Sequence, residues 1–249
     1  MNRIQVISVD GLPLIHDGDD ISDLILKTLK KNNQKLQECD VLVLSHKIVS
    51  KSEGKIYRIS KITPSLKAKK IAQKTGQSEM KIEVALQESI EVLREEPVLI
   101  TKTKIGLITD YSGIDQSNAP EGTIVALPEN PDASAETIHI NISKAVGFSV
   151  PVIISDTQGR PWRRGAVNLA IGLAGMSPFT RNKGNLDLYN KELHSSLVCI
   201  ADEIAAAAEL VMGQADEKTP AAIVRGIQIK SDNGTARTII RDQSENLFL

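Results

Sequence analysis

The chain has 249 residues, 41% apolar and 24% charged, which is ordinary for a globular protein and enough for one large domain or two modest ones. A formal net charge of -1 excludes a global field for nucleic acid or an acidic membrane, so any basic site is local. No apolar run reaches the ~18 residues of a bilayer span, the N-terminus lacks a signal peptide's apolar core, and Cys39 and Cys199 have no ligand-spaced partner, so the composition reads as a cytoplasmic protein with reduced thiols.

Arg3 to Val9 alternates and is rich in β-branched residues, which predicts a strand. Asp20 caps a helix whose apolar stripe is Ile21, Leu24, Ile25 and Leu29. Asp40 to Ser45 reads as a buried strand running into a lysine-bearing turn, His46 to Gly54. Pro64 to Lys74 predicts a helix with Gly76 past its end. Lys81 to Glu95 predicts another, on Ile82, Ala85, Leu86 and Leu93. Strand-like runs follow within Pro97 to Ile108 and at Thr123 to Leu127. Asn130-Pro131-Asp132 starts a helix that buries Ile138, Ile142 and Ala145 and stops at Gly147.

Val152 to Ser155 reads as a strand that ends at Asp156 and Thr157, and Ala166 to Ala174 as the next strand. Ser177 to Leu188 is polar and turn-rich. A long helix fits Lys191 to Met212 on Leu193, Leu197, Ile200, Ile204, Ala208 and Val211, with Gly213 as its stop. Ala221 to Ile229 predicts a strand, and Thr238 to Arg241 a last one. The order lacks a βαβ rhythm, so the expected class is α+β, with mixed sheets and packed helices rather than a doubly wound sheet. The expected organisation is a single unit over residues 1–249, with a subdomain boundary or mobile segment near residues 177–190.

The chemistry concentrates in Ser155-Asp156-Thr157-Gln-Gly159-Arg160-Pro161-Trp162-Arg163-Arg164. A carboxylate and a hydroxyl at a strand end suit a hard divalent cation, and clustered guanidiniums seek phosphate or carboxylate. A second acid, Asp115, lies in a Gly/Ser/Asn-rich loop with Asn118. Either acid alone also reads as a turn or cap residue. Ser45, His46, Lys47 and Lys51 follow the buried strand and read equally as phosphate contacts or as a solvated turn. Gln214 offers an oxygen and Lys218 a charge after the Gly213 stop. There is no Walker loop, GxGxxG or GxSxG.

Five stretches resemble, in order, the coenzyme F420-0:L-glutamate ligase (F420-0 gamma-glutamyl ligase) family. They are Leu44 to Gly54, Ser112 to Asn118, Leu127 to Ala135, Ile154 to Arg163 and Gly213 to Gly226. The resemblance implies a GTP-dependent, amide-forming enzyme. It would join L-glutamate to the phospholactyl carboxylate of F420-0, then add a second glutamate by a gamma-linkage. It implies two divalent ions, Mn²⁺ or Mg²⁺, together with K⁺. It also implies an uncommon α+β ligase fold in an intertwined homodimer.

Carried over by residue, the resemblance assigns Asp115 and Asp156 to one metal, and Thr157 and Gln214 to a second. Leu12, Pro13, Leu14, Ile15, Ser45, His46, Lys51 and Asn118 would line the GTP site, with Lys47 a further member. Met212, Gly213, Gln214, Ala215, Asp216, Glu217, Lys218 and Thr219 would close over the phosphates. Apart from the resemblance, the clustered guanidiniums of Arg160, Arg163 and Arg164 would clamp an anionic substrate. The family's Asn-Ala before Gly-Ile-Asp is replaced here by Tyr111-Ser112. A metal-dependent phosphohydrolase and a non-catalytic GTP-binding regulator remain the alternative readings of the same residues.

Overall fold

A mixed five-stranded sheet forms the spine of the molecule. The computed structural model describes residues 3–248. The strands are β1 (Gln5–Ser8), β2 (Val41–Ser45), β3 (Ile56–Arg58), β4 (Ser89–Arg94), β5 (Ile100–Thr103), β6 (Ile108–Asp110), β7 (Thr123–Val125), β8 (Val152–Arg160), β9 (Arg163–Ala174), β10 (Phe179–Arg181), β11 (Leu197–Cys199) and β12 (Ala221–Arg225). The helices are α1 (Ile21–Lys31), α2 (His46–Ser52), α3 (Leu66–Thr75), α4 (Glu79–Gln87), α5 (Pro131–Val146) and α6 (Ile200–Met212). The spine runs β1-β12-β2-β8-β9. Only β2 and β8 are parallel. The α+β expectation therefore holds.

Each face of the spine carries its own apolar layer. On one face α1, α2 and α5 bury Ile21, Ile25, Leu29, Ile48, Val49, Ile138 and Ile142 against Leu42, Leu44, Val152 and Ile154. On the other, α6 lays Ala201, Ile204, Ala205 and Ala208 over Val41, Val43, Ile153 and Val224. The small alanines let the helix approach the sheet closely. A third core unites α3, α4, Leu99 and Ile124 beside the small β3/β7 and β4–β6 sheets. Among the described residues no helix is long and apolar enough to cross a membrane.

Local chemistry explains the well-read elements. The Asp20 side chain accepts from Asp23 N at 3.1 Å and starts α1. Asn130 accepts from Ala133 N at 3.2 Å, Pro131 opens α5, and Gly147 closes it at φ 86°. Gly172 is dictated by packing, because a Cβ there would lie 2.4 Å from the Pro131 carbonyl oxygen. Opposite it, Ile154 pairs with Gly172 and Ser155 with Ala170, so Ile171 is an extra residue in β9. That bulge re-aims the outer half of the hairpin.

The open edge of β9 is covered. Asp202 accepts from Ala170 N at 2.9 Å, and Asp132 from Leu173 N at 2.9 Å. Asp132 also accepts from Ala236 N and Arg237 N, at 2.7 and 3.1 Å. The C-terminal segment is thereby fixed along the sheet margin.

Several expected elements differ. The helix over Lys81 to Glu95 stops at Gln87, and Ser89–Arg94 is a strand paired with β5. The helix from Lys191 begins only at Ile200, because Leu197–Cys199 pairs with β10 and the Leu193 backbone bonds to Gly184 and Asn185. The lysine turn after β2 is helix α2. The strand expected at Thr238 is a short 3-10 turn over Ala236–Ile239. Asp156 and Thr157 lie inside β8 and not beyond its end.

Candidate active site

Strands β2 and β8 run side by side and part at the pair Ser45–Ser155. Past that point β2 turns into α2, while β8 continues with β9 alone. The carboxyl ends of adjacent parallel strands form a crevice between diverging backbones, a common place for ligands. His46 and Asp156 are the first residues beyond the last pair, and they face each other. His46 Nε2 lies 3.3 Å from Asp156 Oδ1, and its Nδ1 is 3.3 Å from Ser50 Oγ. The contact with Asp156 lacks hydrogen-bond alignment, so Nε2 is buried with no hydrogen-bond partner among the described residues.

Burial sets the charge states. Desolvation pushes the Asp156 carboxyl up to about 7, against the counteracting Thr157 N–H bond and the Lys47 charge. The charge of Asp115 adds to the upward push, which places the two acids within each other's field. Desolvation, aided by the Lys47 charge, drives the His46 imidazole down to about 3. A carboxylate and an imidazole thus share a dry pocket without a cation in hydrogen-bond contact with either. A hard cation beside Asp156 would reverse that penalty.

Asp115 reaches the crevice from the loop after β6. The chain turns into that loop through Tyr111, Ser112 and Gly113, at φ 45°, 56° and 66°. Left-handed backbone costs a tyrosine and a serine more than an asparagine or glycine. Buried bonds hold the turn: Ser112 Oγ donates to Ala85 O at 2.6 Å, and Ser112 N donates to Thr101 Oγ1 at 3.0 Å. Lys47 Nζ sits 2.7 Å from Asp115 Oδ2, and Ser117 N donates to Oδ1 at 2.7 Å. Burial alone would raise the Asp115 carboxyl; the Lys47 and Ser117 bonds hold it below the usual range instead.

The opposite face of β8 carries a second polar cluster. Alternation along a strand sends Thr157 away from Asp156, and the register pairs Thr157 with Asn168. Thr157 Oγ1 donates to Asn168 Oδ1 at 2.6 Å, and Gln214 Nε2 donates to Thr157 Oγ1 at 2.6 Å. Glu209, on α6, accepts from the amides of both Gln214 and Asn168. Asn168 Nδ2 also donates to Ser155 Oγ at 3.3 Å. With both amide nitrogens committed, Gln214 and Asn168 present fixed oxygens. Burial raises the Glu209 carboxyl, while the Gln214 bond and the Lys47 charge oppose that rise.

The remaining candidates divide. Lys51 lies one turn beyond Lys47; burial and the Lys47 charge lower its ammonium. The Ser45 hydroxyl makes no capping bond. Asn118 donates to Ala215 O at 3.0 Å, linking the Asp115 loop to the segment 212–219. Thr219 donates to Asp10 Oδ1 at 3.2 Å, and Ala215 N to Glu217 at 2.7 Å. Gly213, Asp216 and Lys218 line the same loop, with Lys218 left-handed at φ 56°. Met212 and Ile15 are core residues, so their side chains are turned into the protein. Leu12 is half-buried, and Pro13 and Leu14 are exposed.

The arginines are not gathered at the acids. Arg160 donates to Arg164 O at 3.0 Å within the turn, and Arg163 and Arg164 are exposed at the hairpin tip beside Trp162. Four residues of extended chain separate Arg160 from Asp156 by roughly 13 Å. A cleft of about 460 Å³ between α1, α2 and α5, edged by Asp19, Glu53 and Glu129, also excludes Asp115 and Asp156.

Asn168, Glu209 and Ser117 bond candidate site residues, and sequence reading gave them no role. Asn168 is brought in by strand register and Glu209 by the packing of α6, so spacing carries no signal for them, whereas Ser117 bonds Asp115 only two residues away and was open to a local turn reading. Among the described residues no three His, Cys, Asp or Glu side chains converge as a metal cage. Mg²⁺ and Mn²⁺ suit such a donor set, since these hard ions are held by one or two carboxylates completed by phosphate oxygens and water.

The F420-0:Gamma-glutamyl ligase family profile matches residues 11–226. A protein of Methanothermobacter thermautotrophicus named coenzyme F420:L-glutamate ligase is 43% identical over 249 residues, covering 98% of each chain. Proteins of the same name are 40% identical in Methanopyrus kandleri, over the full length of both chains, and in Archaeoglobus fulgidus, over 99% of this chain and 96% of that one.

Proposed function

The chain belongs to the F420-0:gamma-glutamyl ligase family, and we propose that it joins L-glutamate to the phospholactyl carboxylate of F420-0 at the expense of GTP. A second glutamate is added through the gamma-carboxylate of the first. The carrying observation is the contact of Asp156 with His46 and the ion pair of Asp115 with the next residue, Lys47, where β2 and β8 part. A substrate carboxylate is a poor electrophile, because its charge repels an amine and oxide is a bad leaving group. A carboxylate oxygen attacks the γ-phosphorus of GTP, and GDP leaves. The glutamate amine then attacks the acyl carbon, phosphate departs and the amine loses its proton. No protein nucleophile is required.

Asp115 and Asp156 would hold one divalent ion, and Thr157 with Gln214 a second. Such ions would offset charge on the β- and γ-oxygens and align the transfer. Lys51, Ser45 and the backbone of residues 212–219 would seat the phosphates, with Leu12 to Ile15 against the nucleotide. His46 packs beside Asp156, with Nε2 3.3 Å from its carboxylate. We extend the proposal to a homodimer, supported by exposed Leu186, Leu188 and Tyr189 at 62%, 98% and 81% exposure. In that assembly the tip arginines would serve an anionic substrate.

Incubation with F420-0, GTP, Mn²⁺ and L-glutamate should yield products heavier by one and then two glutamyl units, with one GDP and one phosphate per bond. Glutamate-independent phosphate release would replace this reading with the phosphohydrolase. GTP binding without turnover would leave the regulator.

A further inference from the structure

The side chain of Lys47 is only 14% exposed. Its ammonium lies 2.7 Å from Asp115 Oδ2 and 2.9 Å from Ser117 Oγ. Ser117 N and Oγ take the other bonds to that carboxylate, at 2.7 and 2.9 Å. The field of the same ammonium opposes, without overcoming, the burial that raises the Asp156 and Glu209 carboxyls. One flexible cation therefore pairs with Asp115 directly and offsets part of the burial penalty of two further acids. A divalent ion seated on Asp115 needs that oxygen at about 2.1 Å. An ammonium and a dication cannot share it, since they repel at contact.

We propose that Lys47 is the built-in competitor of the divalent ion for Asp115, and that it yields the carboxylate only when an anionic oxygen arrives with the ion to receive its ammonium. The inference rests on the GTP- and metal-dependent reading above. A lysine on a four-carbon stem can make that exchange without moving α2. The consequence is coupling. The ion alone binds weakly because it must expel Lys47. Ion and nucleotide together bind well because the ammonium gains a phosphate. By linkage, each ligand then strengthens the other equally.

The test is Mn²⁺ binding followed by electron paramagnetic resonance, with and without GDP. Without GDP, Lys47→Met should bind Mn²⁺ about tenfold more tightly than wild type, because the competitor is gone. With GDP it should bind at least tenfold more weakly, because the phosphate has lost its partner. Lys47→Arg should keep the wild-type order. A purely structural lysine would move both affinities the same way, and that result overturns the proposal. Should Lys47→Met not fold, labelling of Lys47 by acetic anhydride in the wild type decides. Mn²⁺ alone should raise the labelling rate several-fold, and Mn²⁺ with GDP should suppress it; an unchanged rate sinks the inference. Wild type that binds no Mn²⁺ even with GDP counts against the metal reading itself.

Discussion

The β8–β9 hairpin has two regions that the sequence sets side by side and the fold keeps apart. Its base, Ser155 to Gln158 with Asn168, is packed between α2 and α6 and tied into polar clusters on both faces. Its tip, Gly159 to Gly165, is solvated; Trp162 is 78% exposed and meets the ring of Phe248 edge-on, 5.6 Å between centroids. Residues of one short motif thus split into a desolvated half, where charge is costly and therefore selective, and a wet half, where guanidiniums cost little. The comparison predicts unlike responses to substitution.

The largest effect is expected at the base. Asp156→Asn should lower turnover by roughly 10³-fold, the scale of losing several kcal/mol of charge stabilisation. The same variant reads the buried charge without any substrate. Burial raises this carboxyl from 3.8 to about 7. Its contribution to stability is therefore complete below pH ~4 and is lost as pH rises through 7, by up to about 4 kcal/mol. His46, depressed to about 3, works oppositely: its contribution is complete above pH 6.5 and is lost as pH falls. It is common to both proteins. In chelator, the melting temperature of Asp156→Asn relative to wild type should climb from pH 4 to 8. A flat difference would mean that Asp156 is not desolvated.

Next comes the far side of the base. Glu209→Gln leaves the Gln214 and Asn168 amides facing a third amide, so their oxygens lose fixed orientation. Metal affinity and kcat should fall 10- to 100-fold, the usual scale for groups that orient ligands. Isothermal titration with Mn²⁺ and GDP checks this, and wild-type affinity would cut Glu209 out of the site.

The smallest effect belongs to the tip. Arg163→Ala should raise KM for F420-0 by roughly tenfold, the loss of one charged hydrogen bond. Mn²⁺ affinity and melting temperature should stay at wild-type values. A drop in metal affinity would show that tip and base are one site after all.

What was legible in the sequence follows the same division. Helices α1 and α5 were readable because Asp20, Asn130 and Gly147 are local signals that need no tertiary partner. The acids were readable as residue types suited to a cation, although Asp156 was placed past a strand that in fact continues through it. Asn168 and Glu209 were illegible because register and the α6 contact bring them in. The helix expected from Lys191 failed where pairing with β10 overrode the 3.6-residue spacing of Leu193 and Leu197. The Lys81 helix failed at Ser89, where pairing with β5 supplied the bonds that a further helical turn would have made. Helix α2, only 7 residues long, is too short for periodicity to register.

Asp132 holds a consequence of another kind. Its two oxygens satisfy N–H groups of both β9 and the segment after Thr235. An alanine there would leave the Leu173, Ala236 and Arg237 N–H groups without their acceptor and loosen the final stretch of chain from the sheet. One carboxylate thus works as a clasp, closing the last stretch of chain onto the margin of the spine.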